Sequence, residues 1–248
     1  MAELPVLERT IAAHGGRALW EDAREICVKV SSGGLAFASK LQGSAVRDVE
    51  ARIATTGQHV SFSPYPRAGM RGVLERGGAV RIETDAGAVL EQREQPRRDF
   101  AGLRHKLWWD RLDILYFATC AMWTYVSAPF VFAGDEYAVR ELDPWREGDE
   151  TWQRIAVRFP EWAHTHCREQ VFHVDGRGLI RRHDYTAEPI GSWARAAHYC
   201  LEHQTFDGLT LPTRRRVYQR RRDGRRRARP LLVWIDLPAA SVVRQSVR

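Results

Sequence analysis

Six of the nine histidines fall within one stretch: His164, His166, His173, His183, His198 and His203. Imidazole titrates near neutrality, so such a cluster suits metal ligation or general acid–base work. Metal ligation needs donors that converge. His164-x-His166 puts two imidazoles on one face of a strand, but Cys167 then points the other way. His198 and His203, five apart, take opposite faces. No Cys/His spacing in the chain matches a zinc motif, so no metal is expected. For acid–base chemistry, His183 and Tyr185 share a strand face, and a histidine beside a tyrosine can move a proton. His183, His166 and Tyr185 are the catalytic candidates on this reading. His183 and Asp184 project to opposite faces and are not a dyad. The chain has no G-x-S-x-G, no G-x-G-x-x-G after a strand and no P-loop, so no cofactor is expected. His14, at the Gly15-Gly16 break, reads as a surface histidine near a helix end.

The strands that carry this cluster lack a clean apolar face. Across Thr165–Val174 one parity is His166, Arg168, Gln170, Phe172 and Val174, and the other is Cys167, Glu169, Val171 and His173. Arg181, His183 and Tyr185 share a parity, as do Tyr199, Leu201, His203 and Thr205. Polar groups on both parities mean either a solvent face backed by a polar cavity or a sheet open on one side. The solvent face is the simpler expectation.

The remaining large signal is apolar. From Ile114 to Gly134 the chain carries no charged residue. An insert over about 104–134 therefore reads as a helix buried on most faces. Asp110 and Asp113 sit in its first turns, where carboxylates oppose the positive helix end. Pro129 stops or kinks it. The stretch has about the length of a membrane span. However, it contains Pro129 and hydroxyl groups, and acids rather than a basic cluster flank it. A buried helix or a lid over a cavity is the expectation, not a transmembrane span.

Around the insert the chain reads as short antiparallel strands. Pro5–Asp22 is helical, with a break at the glycine pair. Ile26, Val28 and Val30 alternate in a first strand, and Gly33-Gly34 signals a turn into a return strand through Leu35 and Phe37. Close turns at Gly77-Gly78 and Asp85-Ala86-Gly87 leave no room for parallel crossovers. After the insert, strands resume to Leu237. Asp175-Gly176 and Asp223-Gly224 mark hairpins. The total is roughly a dozen strands in a single domain over 1–248.

At 248 residues the chain can bury a large core without a disulfide or metal. Four scattered cysteines and a leader without a long apolar run place it in the cytoplasm on this reading. The net charge of +7 is local. Ten arginines and one aspartate between Arg214 and Arg229 carry +9, which leaves −2 for the rest. This arm, about 214–230, reads as a solvated hairpin. Its functional reading is contact with an anionic surface through Arg220, Arg221, Arg222, Arg225, Arg226 and Arg227. It has no aromatic stacking platform, so specific nucleic-acid binding is not expected.

The opening AAHGGRALWEDAREICVKV and the later FDGLTLPTRRRVY resemble the LolA-like periplasmic lipoprotein-carrier superfamily. Most of the chain is also similar to a group of bacterial proteins of unknown function that carry REQVFHVDGRGLIRRHDYT-like and AHYCLEHQTFDG-like segments. The superfamily resemblance implies an α+β fold: a curved antiparallel half-barrel around helices, with a hydrophobic cavity. It carries over no catalytic residue. Together these readings predict binding of a hydrophobic or amphipathic small molecule, lipid-like or polyketide-like, between sheet and helical lid. Trp108, Trp109, Leu112, Tyr116, Phe117, Trp123 and Phe130 are expected to form the apolar wall. His166, Arg168, His183, Tyr185 and Tyr199 are expected to hold a polar head. A cytosolic enzyme with a histidine general acid/base, and peripheral surface binding through the arginine arm, are the alternatives.

Overall fold

The computed structural model describes residues 4–245. Helices α1 (Pro5–Ala13) and α2 (Arg17–Asp22) precede strand β1 (Ala23–Gly33), and helix α3 (Leu35–Ala38) follows it. Strands β2 (Val49–Ala54), β3 (Val60–Ser63), β4 (Met70–Leu74), β5 (Val80–Thr84) and β6 (Val89–Arg93) form a meander. The insert holds α4 (Pro96–Asp99), α5 (Leu103–Leu107), α6 (Arg111–Ser127) and a 3-10 turn (Phe130–Ala133). A second meander follows: β7 (Ala138–Glu147), β8 (Glu150–Arg158), β9 (Glu169–Val174), β10 (Ile180–Thr186), β11 (Arg195–Phe206), β12 (Leu209–Arg220) and β13 (Arg226–Arg244).

All thirteen strands join in one open antiparallel sheet, ordered β6-β5-β4-β3-β2-β1-β13-β12-β11-β10-β9-β8-β7. Every neighbour is a sequence neighbour except at one seam, where β1 pairs antiparallel with β13. The insert therefore starts at one outer edge of the sheet and must end at the other. It crosses the concave face of the curved α+β half-barrel as α6.

Why α6 lies there follows from its sequence. Every residue from Leu112 to Ser127 is buried, as a helix apolar all round requires. Its start is fixed by a capping box. The Asp110 carboxylate accepts from the Leu112 and Asp113 amides at 3.0 and 2.9 Å, and the Asp113 carboxylate accepts from the Asp110 amide at 2.9 Å. Arg93, Arg104 and His105 surround the buried Asp113. On the facing sheet, inward residues pair across strands: Ile26 with Ile53, Val28 with Ala51, Phe62 with Ala51 and Gly72, and Leu74 with Val60 and Val80. Gly72 permits close approach, since a Cβ there would lie 2.6 Å from Leu115 of α6 and from Tyr65. With 17 residues, α6 is the longest helix, and no helix among the described residues is long and apolar enough to cross a membrane.

Three local expectations fail. Residues after Gly34 do not return as a strand. Gly34 has φ +130° and packs on the β13 backbone, where a Cβ would lie 2.5 Å from the Leu232 carbonyl. With β13 already paired to β1, the chain leaves the sheet as α3. His14 is not at the surface: it is 1% exposed. Gly15 abuts the Gly208 carbonyl and the Thr210 amide donates to the His14 carbonyl at 2.9 Å, which seats the end of α1 on the β11–β12 turn. His164 and His166 lie before β9, not on a strand. That segment reaches across to the first meander, where Gln58 and the His164 backbone exchange two hydrogen bonds of 2.7 Å.

Candidate functional site

A cavity of about 480 Å3 lies between α6 and the seam of the sheet. Phe117, Ala118, Ala121, Met122 and Tyr125 of α6 face it, a single stripe at helical spacing. Alanine at two of these five positions leaves space that larger side chains would fill. Val30 and Ser32 of β1, Val217 of β12, and Val233 and Ile235 of β13 form the opposite wall, so the cavity straddles the seam. Phe37 of α3 and Ile190 and Trp193 of the loop before β11 complete it.

Among the described residues the lining is mostly apolar, with a few cationic groups and no carboxylate. These cations are Lys40, Lys106 and Arg195. The Lys40 ammonium donates to the His105 and Lys106 carbonyls at 2.9 and 2.5 Å. Its burial lowers its pKa. Arg195 and Gln219 also line an open arginine-rich hollow with Arg220, Arg221, Arg222 and Arg227. The apolar cavity and the basic hollow are thus contiguous.

Behind the cavity wall runs a polar row on the inner face of the second meander. Cross-strand pairing places Phe172, His183, His198 and Val217 side by side. His183 stacks on Phe172 at 4.2 Å, and its Nε2 meets the Gln170 side-chain oxygen at 2.5 Å. His198 meets the Tyr125 ring edge-on at 4.6 Å, and neither of its ring nitrogens has a hydrogen-bond partner among the described residues. His166 stacks on Phe117 at 4.1 Å. The Tyr125 and Tyr185 hydroxyls are 3.2 Å apart. Burial sets the protonation of this row. His183 and His198 fall well below the usual imidazole range, and His166 falls to about 3. Burial pushes Tyr125 up to about 12 and Tyr185 well above the usual phenol value. These imidazoles are therefore neutral at pH 7.

Arg215 is buried next to this row. It donates to the Tyr125 carbonyl at 2.9 Å and to Cys200 Sγ at 3.3 Å, and lies 4.8 Å over the Tyr125 ring. Among the described residues no carboxylate pairs with it. Its charge helps to depress His183 and His198.

The opposite face of these strands is not open to solvent. Arg182 is 0% exposed. It forms a bidentate pair with Asp184 at 2.7 and 3.0 Å, bonds Glu147 at 2.9 Å, and lies between the Trp145 and Tyr199 rings. The tip of the arginine arm covers this network. The Gly224 carbonyl accepts from Arg182, and Gly224 sits against Trp145. The expected solvent face fails here because the arginine-arm tip at Gly224 and the β7–β8 hairpin, through Trp145 and Glu147, fold over it. The arm is part of β12 and β13, and several of its arginines are engaged: Arg214 with Glu202, Arg216 with Asp236, and Arg226 over Tyr218.

Of the residues singled out from sequence, Phe117 and Tyr185 line the cavity. His166 and His183 stand one ring behind them. Trp109, Leu112 and Trp123 are buried in the core, and Phe130 stacks on Trp20 at 4.7 Å. The Tyr116 hydroxyl meets His164 Nδ1 at 3.0 Å. Trp108 is exposed beneath Arg104. Arg168 points outward to Glu161, and Tyr199 lies on the outer face bonded to Glu147. Sequence reasoning missed Ala118, Ala121, Val30, Val233 and Arg195. The one available signal was a pair of alanines on a helix of otherwise large residues. Among the described residues no group of three or more His, Cys, Asp or Glu side chains is arranged to hold a metal.

The architecture is LolA-like. A DUF1329 family protein from Desulfovibrio piger matches with a TM-score of 0.56 at 12% identity, covering 96% of this chain and 92% of that one. A LolA superfamily protein from Nitrosomonas europaea matches with a TM-score of 0.53 at 11% identity, covering 98% and 94%. A domain from Vibrio parahaemolyticus described as an outer membrane lipoprotein-sorting protein gives 0.52 at 7% identity, covering 96% and 91%. At these identities the likeness is one of fold. No protein-family profile matches the chain, and no curated protein matches its sequence.

Proposed function

We propose that the protein binds a hydrophobic or amphipathic small molecule, lipid-like or polyketide-like, in the cavity between α6 and the sheet seam. The observation that carries this reading is the cavity itself. Its volume of about 480 Å3 is within the range of roughly 300–1,000 Å3 typical of small-molecule sites. Its walls are mostly apolar with a few polar groups among them, as an amphiphile requires. Lys106 and Arg195, with no acid beside them in the lining, favour an anionic head.

The acid–base alternative has less support. His183 is bound to Gln170 and stacked on Phe172, and His166 lies behind Phe117. Neither lines the cavity.

Native mass spectrometry of the gently purified protein, with solvent extraction of the same sample, tests the binding reading. The expected result is a reproducible extra mass matched by an extracted amphiphile, and its loss in Ala121→Trp, which fills the cavity. A clean unliganded mass that stays unchanged on adding fatty acids or aromatic polyketides would overturn it.

A further inference from the structure

The described residues leave eight large apolar side chains exposed; Leu35 and Trp193 line the cavity, and Leu41, Leu107 and Trp108 lie on segments whose Lys40 and Lys106 line it. Leu35 and Trp193 are themselves part of the cavity lining, at 52% and 66% exposed, so they mark its mouth. Leu41 follows Lys40, and Leu107 and Trp108 follow Lys106, both of which line the cavity. Isolated exposed leucines need no explanation, whereas a contiguous group rimmed by polar residues marks an interaction surface.

The rim is predominantly cationic, with Asp223, 3.6 Å from Arg221, the one acid in the lining of its hollow. Lys106 is exposed next to Leu107 in the chain, and the Arg104 guanidinium lies 4.7 Å over Trp108 while pairing with Asp110 and Asp113. On the other side, Arg195 connects the mouth to the hollow formed by Arg221, Arg222 and Arg227. Tryptophan and leucine that project beside arginine and lysine suit the boundary between acyl chains and headgroups. Anionic headgroups add an attraction that falls off within a Debye length. A nucleic acid or an acidic protein would satisfy the arginines but leave the leucines in water.

We propose that this face docks on an anionic lipid bilayer, with the apolar rim in the headgroup region and the arginine hollow against lipid phosphates. The purpose of docking, direct passage of an amphiphile from bilayer to cavity, rests on the proposed ligand-binding function. Leu35 and Trp193 are both exposed and part of the cavity lining, so a chain entering there meets apolar side chains at the mouth.

Sedimentation with vesicles tests docking apart from ligand binding. The full chain is mixed with vesicles of phosphatidylcholine alone or with phosphatidylglycerol added, at low and high salt. The expected result is pelleting with the anionic vesicles only, weakened by salt. Leu41→Ser with Leu107→Ser, and separately Arg221→Glu with Arg222→Glu and Arg227→Glu, should each reduce binding at least tenfold. Thermal melts confirm that both variants fold. Failure of the wild type to pellet overturns docking, whether or not the cavity is loaded. Loss in the arginine variant alone, with the leucine variant unchanged, reduces the effect to charge adsorption and also overturns it. Native mass spectrometry of the wild type separates the two claims. A loaded cavity without docking refutes only the surface, and docking with a cavity that never loads refutes only the ligand.

Discussion

The two meanders of the sheet share a backbone plan and differ in what they turn toward α6. The first presents aliphatic and aromatic carbon: Ile26, Val28, Ile53, Val60, Phe62, Leu74 and Ile82. The second presents Gln170, His183, Tyr185, His198 and Arg215 among its apolar residues. α6 packs on β2–β5 of the first and leaves the cavity on the side of the seam. A helix settles where the opposing surface carries no polar groups to desolvate. The second meander keeps its imidazoles buried by stacking them on rings and by holding them neutral.

That contrast makes the two halves respond differently to acid, and this is the largest effect expected. His14, His166, His183, His198 and His203 all have folded-state pKa values below the ordinary 6.5, chiefly from burial. The unfolded chain therefore binds more protons below about pH 6.5. Stability is full above that value and falls as pH drops toward the folded values. Each such histidine costs about 1.4 kcal/mol per pH unit in that window. Hydrogen exchange should show β9–β12 amides losing protection between pH 7 and 5 while β2–β5 amides hold. Uniform loss across the sheet would break the comparison.

A change confined to the first meander should be insensitive to pH. Gly72→Val pushes a side chain into Leu115 and Tyr65 and should cost about 1–3 kcal/mol. Urea melts at pH 7 and pH 5.5 should report the same loss. A loss that grows with acid would mean that the two halves are not independent.

The smallest expected effect concerns Arg215. Arg215→Met removes a charge that depresses His183 and His198. Their folded pKa values then rise toward 6.5, and the midpoint of acid unfolding moves to lower pH. A midpoint that stays put, or moves up, would show that the guanidinium does not act on the row through its charge.

Much of the sheet was legible because alternation and turn residues are local. Ile26, Val28 and Val30 alternate within one strand, and Asp175-Gly176 closes one hairpin. Asp110 and Asp113 were legible as charges opposing the start of α6, but not as the capping box they form. The seam was not, since pairing of Gly33 with Trp234 leaves no trace in either segment alone. Gly33-Gly34 looked like a hairpin turn, and only the neighbouring β13 shows why the chain leaves the sheet there. The cavity lining was hidden for a related reason. A helix apolar all round gives no cue to which stripe faces the sheet, so Trp109 and Trp123 were expected where Ala118 and Ala121 stand. The strand parity of His183 and Tyr185 was read correctly. That a ring from α6 stands between His166 and the cavity could only come from the packed structure.

The seam also fixes when in folding the cavity comes into existence. Each meander closes through contacts between neighbours in sequence and can assemble early. The β1–β13 ladder joins residues about two hundred positions apart, the kind of contact whose closure slows folding. Val30 and Ser32 stand on one side of that join and Val233 and Ile235 on the other, so half-assembled sheets have no pocket to fill. Any occupant therefore recognises only the finished chain. By mass action it works as a clasp across the last seam to close, slowing its reopening as the free occupant's concentration rises.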